Sequence, residues 1–169
     1  MDRALPEAPE PRAASLRRAE VADPRLQALL ARWRAAGAAG RLPPRAALDP
    51  VDLADMAGDL LLVELEPPLG RFRAARVGTS YVLWFRRDIT GCLLDELSGH
   101  PYFRLFVEAL TGALLEERPL SLAAAVPDGG RMAAYEALLL PLADDGRRVD
   151  AILVACRRAP ARTPMPVPA

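Results

Sequence analysis

The fold of this chain is decided by the stretch Asp59-Leu-Leu-Leu-Val-Glu-Leu-Glu66, Pro67-Pro68-Leu69-Gly70, Arg71-Phe-Arg-Ala-Ala-Arg-Val77 and Gly78-Thr79. The first run is dense in aliphatic residues and ends at turn-forming residues, and the second mixes apolar residues with arginines, as a strand with one wetter face would. The break at Gly78-Thr79 leads into a short aromatic helix that ends near Arg87. Because a two-stranded ribbon cannot bury its apolar face alone, we expect this helix to lie across a sheet and to close a pocket.

Helix and turn signals divide the rest of the chain. Asp23-Pro24 predicts a helix start, since Asp caps free backbone N–H groups and Pro is tolerated at the first helical position. Asp49-Pro50 repeats that signal, and Pro101 opens a long amphipathic helix that ends at Pro119. The predicted strands are 59–66, 71–77, 120–126, 132–142 and 149–156.

These elements predict an α+β chain with a five-stranded antiparallel sheet, helices on one face and an N-terminal helical extension. Four segments follow from the composition along the chain. They are a disordered N-terminal segment at 1–22, the helical extension at 23–58, the sheet domain at 59–158 and a flexible Pro-rich tail at 159–169.

Composition narrows the class of function. The chain has 169 residues and a net charge of zero, so bulk electrostatics indicates neither a nucleic-acid partner nor an anionic membrane. No apolar run is long enough to span a bilayer or to serve as a signal peptide, so a cytoplasmic location is expected. The two cysteines form neither a disulfide framework nor a metal cluster. Phosphate-loop, HExxH, CxxC and GxSxG motifs are all missing from the sequence, and we expect no enzyme activity.

Seven short motifs occur in order between about Asp23 and Arg158. They are Trp33, Leu42-Pro43-Pro44-Arg45, Asp49-Pro50, the hairpin with Gly78-Thr79, Arg87-Asp88-Ile89-Thr90-Gly91, Leu140-Pro141-Leu142 and Asp144-Asp145-Gly146. In this order they resemble the stand-alone, single-PAS proteins common in alphaproteobacteria. Two positions depart from the family pattern. Arg86 stands where the family usually has Gly before the Arg-Asp pair, and in the hairpin Ala75 lies near the place where the family usually carries Arg, with Arg76 following it.

Seven residues are candidates for a ligand site. They are Phe72, Arg76, Tyr81, Trp84, Phe85, Phe103 and Phe106. The aromatic members either line an apolar cavity or form ordinary core. Strict alternation places Arg76 on an inward face with Phe72 and Ala74, where it needs an anionic partner, which is either a carboxylate such as Glu64 or Glu136 or a bound anion.

An apolar stripe marks the first helix. Leu26, Leu29, Leu30 and Trp33 fall on one face at helical spacing. The stripe packs either on the chain's own sheet or on a second copy. The resemblance implies the second arrangement, since PAS domains often dimerise through N-terminal helices, and these four residues are the predicted homodimer interface.

Two further residues bear on cofactors. His100 is the only histidine and precedes the long helix, whereas haem-binding PAS domains typically carry the ligand inside that helix. Cys92 lies in Thr-Gly-Cys-Leu-Leu, which does not match the reactive motif of flavin-binding PAS relatives. Haem, flavin and metal are therefore not expected, and no other cofactor is assigned. Capping or a surface role is the simpler interpretation of His100, and apolar packing, with redox sensing as the alternative, that of Cys92.

Three functions are open at this point. The resemblance implies a sensory and regulatory module that binds a small ligand and signals in trans to a partner protein such as a histidine kinase. The alternative is a ligand-free adaptor for protein–protein interaction in a bacterial signalling pathway. An enzyme on the same scaffold is the third possibility, and it would require a convergent group of titratable residues with perturbed pKa values.

Overall fold

The computed structural model describes residues 12–18, 20–38, 40–49, 53–68, 70–97, 103–128 and 131–159. In this part of the chain the architecture is α+β, as predicted. The strands are β1 (Arg12–Arg18), β2 (Leu60–Glu66), β3 (Arg71–Val77), β4 (Leu120–Asp128), β5 (Arg131–Leu142) and β6 (Ala151–Arg158). The α-helices are α1 (Pro24–Ala36), α2 (Thr79–Phe85) and α3 (Phe103–Glu116), with 3₁₀ helices at Arg45–Leu48, Ala54–Asp59 and Leu94–Leu97.

The strands form one antiparallel sheet in the order β1-β4-β5-β6-β2-β3. The five strands from β2 to β6 are the predicted ones, and their arrangement is consistent with a PAS-like fold. The sixth strand, β1, lies in the segment expected to be disordered, and it pairs along the edge of β4 from Leu120 to Ala125. Strand pairing uses backbone groups, so a segment with little apolar content can still join a sheet edge.

Helices cover both faces of this sheet. We call the face packed against α2 and α3 the cleft face; it carries Leu61, Leu139 and Val154. The opposite face, which we call the α1 face, carries Leu138 and Leu153 and packs against α1 and the first two 3₁₀ helices. Burial on both faces explains why β5 and β6 contain continuous apolar runs rather than alternating ones.

Helix α1 begins where the sequence predicts. The Asp23 carboxylate accepts hydrogen bonds from the backbone N–H groups of Arg25 at 2.8 Å and Leu26 at 3.2 Å. The apolar stripe packs on the α1 face of the chain's own sheet, where Leu26, Leu29 and Leu30 are at most 5% exposed. Trp33 joins them and donates from Nε1 to the carbonyl of Pro141 at 2.8 Å.

For Trp33, which is half-buried, the use of that stripe as a dimer interface stays a prediction, but for Leu26, Leu29 and Leu30 it is wrong. These side chains are already buried within one chain, because an apolar helix face gains the same stabilisation from its own sheet as from a second copy, without the entropy cost of association. A homodimer through another surface stays a prediction.

The predicted inward position of Arg76 is also wrong. Leu62 pairs with Arg76 and the next residue, Val63, pairs with Ala74, so Ala75 is the extra residue of a β-bulge. A one-residue insertion moves the following side chain to the opposite face. Arg76 therefore points away from the cleft face; its side chain is 54% exposed and lies 3.3 Å from Asp49 rather than near Glu64 or Glu136.

The Gly78-Thr79 break is a point of close backbone approach. Gly78 donates its N–H to the carbonyl of Leu60 at 2.8 Å, which holds the start of α2 against the sheet. A Cβ at this position would lie 2.6 Å from the carbonyl oxygen of Ala57 and meet the backbone of Gly58 as well. Glycine is required here for space and not for its backbone conformation, since a φ of −72° is open to any residue.

Helix α2 ends at Arg86, which has a left-handed backbone with φ of 54°. A helix commonly ends at such a residue, and glycine usually occupies it because other residues strain in that conformation. The departure from the family pattern at this position thus falls on a residue whose backbone favours glycine.

Candidate ligand-binding cleft

A cleft opens between α2 and the cleft face of the sheet. Its volume is about 250 Å³, and a second, apolar hollow of about 60 Å³ continues from it toward α3. Tyr81, Trp84, Tyr135 and Cys156 line both parts. The outer part adds Asp59, Ser80, Leu83 and Arg158, and the inner part adds Phe85, Leu105, Phe106, Leu122, Ala124, Ala137 and Val154.

Three aromatic rings form one wall. The rings of Trp84 and Tyr135 are 4.9 Å apart at 83°, and those of Tyr81 and Trp84 are 5.9 Å apart at 64°. Edge-to-face contacts of this kind are favourable because the positive ring edge meets the negative ring face. Helix α2 brings two of the rings and β5 the third, so the wall depends on α2 keeping its place on the sheet.

Tyr81 anchors the wall to the sheet. It is 2% exposed, and its hydroxyl donates to the carbonyl of Val154 at 3.3 Å. Burial raises the pKa of this phenol well above 10, with smaller contributions in the same direction from Cys156 and Asp59. The hydroxyl is therefore a structural hydrogen-bond donor and carries its proton throughout the physiological range.

Cys156 is the thiol at the floor of the cleft. Burial raises the pKa of this group far above its usual value of 9.0, and the nearby Asp59 carboxylate raises it further. A thiol is nucleophilic mainly as the thiolate, so Cys156 serves as a small apolar side chain here. Cys92, the other thiol, is half-buried outside the cleft.

Polar groups gather at the mouth. The Ser80 hydroxyl donates to Asp59 Oδ1 at 2.8 Å, and Arg157 Nη1 forms an ion pair with Asp59 Oδ2. Arg158 follows on β6 and pairs across the strands with Tyr135. The mouth thus presents a hydroxyl, a carboxylate that is already engaged, and a guanidinium.

Asp23 lies behind this mouth, on the α1 face. Burial acts to raise the pKa of its carboxyl, but the hydrogen bond from Arg157 and those from the backbone N–H groups of Leu26 and Arg25 outweigh it. The net pKa is lowered from 3.8, so Asp23 is ionised in the folded protein near neutral pH.

The structure brings together four of the seven predicted ligand residues. Tyr81, Trp84, Phe85 and Phe106 line the cleft, as the aromatic pattern predicts. Phe72 and Phe103 pack against the core beneath the cleft but do not line the cleft itself. Arg76 lies on the other face of its strand, and His100 falls outside the described residues.

Sequence reasoning missed the strand side of the cleft. Tyr135, Ala137, Val154 and Cys156 alternate with residues of the α1 face, so strict period-two reading of β5 and β6 would have grouped them. It could not have said which of the two apolar faces meets α2. Asp59 and Ser80 carry no sequence signal at all, since only folding brings them within hydrogen-bond distance.

Three titratable side chains that line the cleft are either protonated or already paired. Tyr81 and Cys156 keep their protons, and the Asp59 carboxylate is committed to Ser80 and Arg157. Among the residues that the structure describes, no three His, Cys, Asp or Glu side chains are grouped to hold a metal ion. Within the same residues no helix has both the length and the apolar character needed to cross a bilayer.

Comparison with known proteins gives no relative. No protein-family model matches the sequence, and no curated protein or solved structure matches the chain. The resemblance to PAS proteins therefore rests on the motifs, and function must be argued from the cleft itself.

Proposed function

We propose that this chain is a PAS-type sensory module that binds a small molecule in the cleft and signals in trans to a partner protein. The observation that carries the proposal is the cleft between α2 and the sheet, in which a mouth with polar groups leads past an aromatic wall into a smaller apolar hollow. A concave, mainly apolar site with a few convergent polar groups is the usual make-up of a small-molecule site.

The dimensions favour a small ligand, since the apolar hollow of about 60 Å³ has room only for a small apolar group. The cleft of about 250 Å³ is slightly below the usual range for drug-sized ligands of roughly 300–1,000 Å³. The apolar part of the ligand would stack beside Trp84 and Tyr135, and a polar end would reach Ser80 or Arg158 at the mouth. Leu83 lies at the same mouth and is 76% exposed, so it would cover part of a bound molecule.

Signalling would follow from the position of α2. This helix supplies Tyr81 and Trp84 to the wall, so a ligand that fits between α2 and the sheet stabilises one placement of the helix. A ligand shifts a conformational equilibrium only by its difference in affinity for the two states. The partner, such as a histidine kinase, would bind differently to the protein when the position of α2 or of the N-terminal segment changes.

Two measurements test the proposal. Native mass spectrometry compared with the denatured mass should show an added mass that leaves on denaturation. A thermal-shift screen of small apolar acids, alcohols and aromatic compounds should find ligands that raise the melting temperature. At a concentration of 100 times Kd the stabilisation is about 2.7 kcal/mol. This corresponds to about 5–10 °C for a domain of this size.

Matched variants make the result specific to the cleft. Trp84→Ala removes the centre of the aromatic wall and should abolish the shift, whereas Leu115→Ala, a residue of α3 that is 76% exposed and outside the cleft, should leave it unchanged. If the wild type carries no added mass and no compound stabilises it more than Trp84→Ala, the sensor proposal fails. The ligand-free adaptor would then be the better description.

A further inference from the structure

A chain of side-chain hydrogen bonds runs from the mouth of the cleft to the start of α1. Ser80 on α2 donates to Asp59, and Arg157 on β6 pairs with the other oxygen of that carboxylate. Arg157 then donates from Nε to Asp23 Oδ2 at 2.8 Å. One guanidinium therefore joins a carboxylate that lines the cleft to a carboxylate on the opposite face of the sheet.

Asp23 is the residue that caps α1. Its Oδ1 accepts from the backbone N–H groups of Arg25 and Leu26, and its Oδ2 accepts from Arg157. The carboxylate is thus shared between the helix terminus and the guanidinium. If Arg157 moves, the Asp23 carboxylate loses the hydrogen bond that holds its Oδ2. Its Oδ1 is then less firmly placed to accept from the first backbone N–H groups of α1.

A second carboxylate holds the backbone just before the cap. Glu136 on β5 is 8% exposed, and it accepts from the backbone N–H groups of Ala22 and Asp23 at 3.0–3.1 Å. Glu136 on β5 and Arg157 on β6 are opposite each other in the antiparallel register of these two strands. Residues 20–23, which we call the strap, connect β1 to α1 and are fastened by this pair of neighbouring side chains.

We infer that Arg157 couples the cleft to the strap. On this inference, which rests on the proposed function for its ligand, a bound molecule that takes the Asp59 carboxylate withdraws one of the two partners of Arg157. The guanidinium is then held by Asp23 alone, and the strap and first turn of α1 open more readily. The segment that leads from β1 into α1 becomes the output of the sensor.

The geometry favours coupling over three independent surface contacts. The side chains of Arg157, Asp23 and Asp59 are 24%, 12% and 26% exposed, so water screens their interactions less than at the surface. The two carboxylates also share one cation. When two anions share a partner, removing one changes what the other contributes, and their effects on stability are non-additive.

Amide hydrogen exchange tests the inference without a ligand. Asp59→Asn removes the ion pair with Arg157 and keeps an oxygen for Ser80. We expect the amides of Ala22, Asp23 and Leu26 to exchange about tenfold faster, since Arg157 loses the charged partner that helps to hold it against Asp23. Amides of the central strands, such as Leu139 and Val154, should keep their rates.

The control is Asp95→Asn. It removes an ion pair with Arg71 at 2.6 Å on a different part of the surface, and it should change none of these amides. Unchanged strap amides in Asp59→Asn would overturn the inference. If Asp59→Asn instead accelerates exchange throughout the sheet, a double-mutant cycle decides the question.

The cycle compares the unfolding of Asp23→Asn, Asp59→Asn and the double variant. The inference requires non-additive effects, because both carboxylates act through Arg157. Additive effects would refute coupling and would leave ligand binding in the cleft untouched. Conversely, a negative ligand screen would refute the proposed function, and the cycle would still report on the hydrogen-bonded chain.

Discussion

Replacement of Gly78 by alanine should destabilise the protein and displace α2. The added Cβ would lie 2.6 Å from the Ala57 carbonyl oxygen and equally close to the carbonyl carbon of Gly58. Real Cβ contacts are essentially never shorter than 3.0 Å, so the backbone of one segment must move by more than 0.4 Å, because the carbonyl oxygen of Gly58 lies nearer still. Neither segment can yield by rotating a side chain, because the atoms in contact belong to the main chain.

The size of the effect follows from this overlap. Overpacking of a well-packed site costs about 1–3 kcal/mol. For a domain of this size each kcal/mol lowers the melting temperature by roughly 2–4 °C, so we expect a decrease of about 2–12 °C. Because α2 carries Tyr81 and Trp84, the same displacement should widen the ring contacts of the aromatic wall and change the near-ultraviolet circular dichroism.

Gly58→Ala is the matched control, since Gly58 belongs to the other side of the same contact. Its Cβ would meet only the hydroxyl of Thr79, at 2.9 Å, and a side chain can rotate away. We expect this variant to stay within about 1 kcal/mol of the wild type, because a Gly→Ala change at a compatible position also reduces the entropy of the unfolded chain. The reasoning is refuted if Gly78→Ala is as stable as Gly58→Ala and keeps the wild-type aromatic spectrum.

Three further predictions concern stability. Leu26→Ala should lower the free energy of unfolding, measured by chemical denaturation, by about 2–5 kcal/mol because Leu26 is fully buried on the α1 face. Leu83→Ala, at a position 76% exposed, should change it by no more than about 0.5 kcal/mol. Equal effects of the two substitutions would contradict the packing of α1. Arg86→Gly should stabilise by up to about 1 kcal/mol in the same assay, since it relieves a left-handed backbone at φ of 54° and loses part of that gain to unfolded-state entropy; a loss of stability would show that the Arg86 side chain matters more than its backbone. The pKa of Asp23 in the folded protein is lowered from 3.8, so its stabilisation is present above about pH 4 and is lost as the pH falls through the folded pKa. The free energy of unfolding should therefore fall less steeply with acid for Asp23→Asn than for the wild type. Parallel curves for the two proteins would contradict the role of this carboxylate.

The cleft shows how far local patterns reach. Tyr81, Trp84 and Phe85 are predicted as a group because they share one short helix, and the structure keeps them together. Tyr135 completes the wall from β5, more than 40 residues later in the chain, and no local pattern indicates that it faces Trp84. Arg76 shows the opposite error, since an alternation that is correct in most strands fails at one inserted residue.

By itself, the sequence determined the elements of this protein. The hairpin of β2 and β3, the start of α1 at Asp23-Pro24 and the long helix α3 follow from apolar period, turn residues and caps, which act over a few residues. Only the tertiary structure decided that the stripe of α1 is buried on its own sheet, that β1 adds to the edge of β4, and that Arg157 connects Asp59 with Asp23. The physical reason is that the face a strand presents, and the partner a charge finds, depend on contacts between segments far apart in the chain.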